Sequence, residues 1–134
     1  RLTAGGVTSE QVVRVKEDPR LADVDPLVRA QWTATLLEIT TTLVQAQERA
    51  REVSQAVSRL DAGEARAGAA AAAKVRALDR ELGELVSRLS QLAGSADAWM
   101  GPLTSDQASQ KAFFEATLLT LSSEWQEARG RIRE

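Results

Sequence analysis

The stretch 26-PLVRAQWTATLLEITTTLVQAQERAREVSQAVSRL-60 decides the fold. It contains no glycine and no proline after its first residue. Leu36, Ile39, Leu43, Ala46, Ala50, Val53, Val57 and Leu60 follow one another at alternating steps of three and four. That spacing lays a narrow apolar seam along one side of a helix, and Trp32 and Val28 extend it backwards. Asp25 ahead of Pro26 is a start signal: the carboxylate can accept an orphan amide of the first turn, and proline takes the first helical position without losing a bond. At 1.5 Å per residue the helix would be roughly 50 Å long. A seam of that length has to be covered by the rest of the chain.

Beyond Leu60, Asp61-Ala62-Gly63 predicts a reversal, with Gly63 suited to the left-handed conformation that ends helices. A second helix is expected over about 64–93, its seam at Val75, Leu78, Leu82, Leu85, Leu89 and Leu92. Pairing back from the turn sets Leu78 near Ala46 and Val75 near Ala50. Gly94 is expected to end this helix, leaving Ser95 to Leu103 as a loop that carries Trp99, Met100 and a Gly101-Pro102 break. Thr104 with Gln107 three residues on matches a capping box and opens a third helix over about 104–132. Phe114, Leu118, Leu121, Trp125, Ala128 and Ile132 form its seam, and Trp125 should fall opposite Val75. Glu84–Arg88 and Glu127–Arg131 are expected as solvent-facing pairs. Short loops between three seams predict an all-α, up-down-up antiparallel three-helix bundle over residues 19–134.

Ahead of the bundle the rhythm differs. Leu2, Thr3 and Ala4 lead into Gly5-Gly6, a pair suited to a hairpin turn, and Val7 to Val15 reads as a strand closed by Asp18-Pro19. A lone hairpin is marginal in water, so residues 1–18 are expected to be the remnant of a sheet whose other strands lie upstream. The chain does not begin with methionine, which fits a piece of something longer.

Composition narrows the function classes. The 134 residues carry a net charge of −2 and 4% aromatics, a profile of one helical domain with a mixed-sign surface. So balanced a charge gives no strong attraction to nucleic acid or an anionic membrane. With neither cysteine nor histidine, thiolate chemistry and the commonest general base and metal ligand are missing. A bundle di-metal site would need histidine. The acid pairs Glu48/Glu52 and Glu81/Glu84 fall outside the seams, where a solvated face is expected rather than a glycosidase cleft. Thr40, Thr41 and Thr42 also read as exposed surface, and Arg129, Arg131 and Arg133 as dipole partners of a helix end. Catalytic, cofactor and metal residues are therefore expected to be none. Trp99, standing in the loop, is the candidate partner contact, with Met100 and Leu103 beside it.

Leu2-Thr3, Gly5-Gly6, Val13 and Val15 leading to Asp18-Pro19-Arg20, and then a long helix rich in glutamine and alanine, resemble the C-terminal end of bacterial exported BNR-repeat proteins, the sortilin-like or sialidase-like β-propellers. In that family a small β-sandwich with a similar glycine turn and V-x-V-x-x-D-P-R run follows the propeller, and a helical region closes the chain. The resemblance implies an exported, periplasmic or extracellular, non-catalytic C-terminal module whose partner is protein, either the rest of the parent or another copy. The Asp-box repeats of the propeller do not occur here, so it carries over no catalytic residue. The alternative is a free-standing helical adaptor or oligomerisation domain that binds a partner helix.

Overall fold

The computed structural model describes the backbone of residues 2–4 and 7–9 and the whole of residues 23–132. Strands β1 (Leu2–Ala4) and β2 (Val7–Ser9) pair antiparallel, with Thr3 opposite Thr8. Of the strand expected over Val7 to Val15, the part beyond Ser9 lies outside the described residues. Among these, three α-helices follow: α1 (Pro26–Asp61), α2 (Ala69–Trp99) and α3 (Ser105–Arg129).

Cross-helix ties fix the directions. Trp32 and Asp61 of α1 bond to Ala96 and Arg76 of α2 respectively, so those helices are antiparallel. Lys74 and Ser95 of α2 meet Glu124 and Gln107 at the α3 side, again antiparallel. Glu38 and Glu52 of α1 meet Lys111 and Trp125 of α3, which makes α1 and α3 parallel. The bundle is therefore up-down-up. Both α1 and α3 pack extensively on α2 but only slightly on each other.

Local chemistry explains most of the boundaries. The Asp25 carboxylate accepts the Leu27 amide at 2.7 Å, with Pro26 in the first turn. Thr104 and Gln107 form the reciprocal capping box. At the end of α1, Gly63 takes φ +74°, its amide donates to Leu60 O and the Glu64 amide to Arg59 O. This is the Schellman arrangement that satisfies the last carbonyls of a helix.

Helix α2 departs from expectation at both ends. It starts at Ala69 rather than Glu64, because the chain leaving Gly63 turns Ala65 into the core, where it is 5% exposed, and only Gly68 serves as N-cap. The longer connection moves the α1–α2 pairing toward the C-terminal end of α1, relative to the expected match of Leu78 with Ala46. Gly94 does not end the helix. Ala96, four residues past Leu92, continues the buried seam at 1% exposure, and the added turn outweighs the roughly 1 kcal/mol that glycine costs in a helix. The chain turns at Met100 instead, the one non-glycine residue with positive φ among those described. α3 ends at Arg129, three residues short of Ile132. The i, i+4 geometry of Glu127–Arg131 is thereby lost, while Glu84–Arg88 forms on the exposed face of α2.

Buried residues follow the seams of α2 and α3 closely: Val75, Leu78, Leu82, Leu85, Leu89, Leu92 and Ala96 face Phe114, Leu118, Leu121, Trp125 and Ala128 in one core. On α1 the fully buried positions are Ile39, Ala46 and Val53, seven residues apart. Leu36, Leu43, Ala50, Val57 and Leu60 are half-buried against that core, so each covers its edge rather than its centre. Thr42, expected on the surface, is buried at 9% exposure. A helix with two neighbours buries a wider stripe than a two-helix seam, and Thr42 sits on the flank toward α3. Its hydroxyl donates to Glu38 O at 3.1 Å, which satisfies the buried donor.

Two outcomes follow. Leu82→Ala should destabilise by about 2–5 kcal/mol and the half-buried Leu43→Ala by less, with Thr41→Ala near neutral, as read by denaturant midpoints. Gly94→Ala should stabilise by about 0.5–1 kcal/mol, since a Cβ there would meet nothing within 4 Å; a thermal melt reads the gain.

Candidate functional site

Glu48, Glu52, Glu81 and Glu84 are all exposed, as the seams require. Glu52 is nonetheless engaged: Oε2 accepts from Arg49 at 2.6 Å and from the indole Nε1 of Trp125 at 3.1 Å. Its role there is to satisfy the one polar atom of a tryptophan that is otherwise 3% exposed. Trp125 also forms part of the wall of a concavity of 360 Å³ between the C-terminal ends of α1 and α3, with Ala56, Ala65 and Ile132. Among the described residues no group of three or more carboxylates is placed to hold a metal ion. No helix of the described residues is long and apolar enough to cross a membrane.

Trp99 is the last residue of α2 rather than a loop residue. It is 61% exposed, yet its indole Nε1 donates to Pro102 O at 3.0 Å across the turn. The ring lies over Gly101, where a Cβ would come within 2.9 Å of Nε1. The side chain is thus held on its own turn with one face open. Met100 is half-buried, and Leu103 is half-buried against the core. Of the three candidate contact residues, Trp99 alone presents a large apolar surface.

Other exposed apolar groups lie where the seam pattern gives no hint. Leu27, Leu37 and Val44 stand on α1 away from the core, and Leu119 and Phe113 stand on α3, the latter 63% exposed. Phe113 packs edge-on against the buried Phe114, with ring centroids 5.9 Å apart. Together the two rings line a groove between α2 and α3, made of adjoining concavities of 210 and 680 Å³ that share Arg88, Phe113 and Phe114. Leu85, Leu92 and Leu121 form its floor. Seam spacing marks Phe114 alone, and Phe113 stands beside it.

Charge is unevenly distributed. The half of the bundle holding the start of α1, the end of α2 and the start of α3 contains seven described carboxylates, Asp23, Asp25, Glu38, Glu84, Asp97, Asp106 and Glu115, against three cations, Arg29, Arg88 and Lys111. Lys111 bridges α3 to α1, with Nζ 2.8 Å from Glu115 and 3.1 Å from Glu38. Its hydrogen bond to Glu115 raises its pKa above the ordinary 10.5, with partial burial opposing and Glu38 adding to the rise.

No family model, curated protein or solved structure matches this chain. The surface itself therefore bears the functional argument.

The Lys111 bridge has a pH signature. A lysine whose folded pKa is raised stabilises fully below its unfolded value and loses that contribution as pH climbs through the folded value. Stability should therefore fall above pH 10.5, and Lys111→Met should reduce that alkaline slope in melts taken across the range.

Proposed function

We propose that this chain is a non-catalytic helical module acting by surface contact, at the C-terminal end of a larger exported β-propeller protein. One observation carries the interaction reading: Trp99 and Phe113, 61% and 63% exposed, stand in the open on the acidic half of the bundle, beside a closed leucine core. Exposed aromatics of this kind offer contact area to a protein partner and no group for bond making. The placement after a propeller rests on the resemblance in residues 2–20. It accords with the antiparallel pairing of β1 and β2, since a two-stranded pair is marginal on its own. Export follows from the same resemblance.

A second reading, a free-standing adaptor that binds a partner helix, is favoured by the groove between α2 and α3. The two readings part at the coding sequence ahead of Arg1, where Asp-box repeats support the first and a start codon the second.

Glycosidase and sialidase assays on the purified chain should read blank. Turnover that disappears on Glu48→Gln or Glu84→Gln would overturn the non-catalytic reading.

A further inference from the structure

Building on the reading of this chain as a protein-interaction module, we infer that the α2–α3 groove is the seat of a basic amphipathic helix, with Phe113 as the apolar anchor on its wall. The groove runs beside α2 from Glu81 to Ser95, about 21 Å at 1.5 Å per residue, or four turns of a docked helix. Its walls are two antiparallel helices, so it is straight-sided. Such a slot takes a third helix through anchors at i, i+3 or i+4, and i+7. The floor is leucine and phenylalanine, and Phe113 rises beside it with most of its ring uncovered.

Charge selects the occupant. Glu81 and Glu84 stand on the α2 rim, whereas the α3 rim is Ser109, Gln110, Phe113 and Thr117, without a charge. Among the described residues, Arg88 is the one cation lining the groove, and it is bound to Glu84. With seven carboxylates to three cations among the described residues of that half of the bundle, the field attracts lysine and arginine flanking a partner's apolar stripe and repels an anionic membrane. Leu27, Leu37 and Val44 are exposed on α1 and do not line the groove, so Leu37 serves as the internal control.

The test uses the whole chain and a synthetic helical peptide of about 16 residues, with leucines at i, i+3, i+4 and i+7 and lysines elsewhere. Its partner peptide keeps the leucines and replaces lysine with glutamate. The lysine peptide should bind and shift the amide resonances of residues 81–95 and 109–121, and the glutamate peptide should not. Phe113→Ala should weaken binding by about tenfold, the double variant Glu81→Gln/Glu84→Gln should weaken it and flatten its salt dependence, and Leu37→Ala should leave it unchanged. All four positions are exposed, and circular dichroism checks that each variant folds.

Equal binding of both peptides, insensitivity to Phe113→Ala, or no binding at all would overturn the groove assignment. A dimer in sedimentation that Phe113→Ala dissociates would overturn it too, by naming a second copy as the occupant. Binding whose shifts gather at Trp99 or on α1 would sink the groove and leave the module reading standing. The module reading fails separately, on turnover by the chain itself.

Discussion

Everything in this bundle hangs on the face that α2 presents to both of its neighbours. Its seven buried residues, from Val75 to Ala96, are the common surface on which α1 and α3 lie. α1 and α3 share far less contact with each other than with α2, so each is stabilised mainly through α2, with Glu38–Lys111 and Glu52–Trp125 as ties between them. Burying a leucine-sized side chain is worth about 1.5–3 kcal/mol, and five of the seven are leucines. The polar ties across the surface contribute far less. Lys74–Glu124 and Arg76–Asp61, both short at 2.6 Å, join side chains that are 35–55% exposed, in the range where an ion pair is worth well under 1 kcal/mol. They set register more than stability.

The dependence on one central helix explains which parts of the fold were legible in the sequence. The seams of α2 and α3 could be read almost residue by residue, because each carries apolar residues that are buried at nearly every seam position. Side-chain capping was legible too: Asp25 and Thr104 act through oxygens whose partners lie two or three residues away. α1 was read less well, since a spacing pattern finds the centre of a stripe and not its width; Thr42 was misplaced for that reason. The ends of α2 were missed because glycine reports a local preference only. Gly94 prefers to stop a helix, and a seam continuing to Ala96 overrides it. Gly63 does end α1, but where the next helix begins depends on Ala65 finding the core, a tertiary event.

The surface was less legible still. Trp99 was recognisable as an unpaired aromatic, yet its hydrogen bond to Pro102 and its position at the end of a helix depend on Met100 adopting a left-handed turn. The groove could not be read from one helix at a time, since its floor and rims alternate between α2 and α3. Phe113 was overshadowed by its neighbour: Phe114 fits the seam, and a residue beside a seam position on a helix is about 100° away from it.

The bond from the Trp32 indole to Ala96 O, at 2.9 Å, bears on a weakness of all seams built on steps of three and four. Such a pattern is nearly superimposable on itself after a slide of seven residues, so leucine packing alone discriminates poorly between neighbouring alignments. The indole favours one of these alignments. Ala96 O belongs to the last turn of α2, where carbonyls lack donors within the helix. Seven residues earlier, Leu89 O belongs to the helix interior, where an amide of the next turn takes it. A donor reaching across from α1 therefore meets a carbonyl with no helical amide on it in the alignment that brings Trp32 to the very end of its neighbour, and that bond acts as an index mark favouring one register of two long helices.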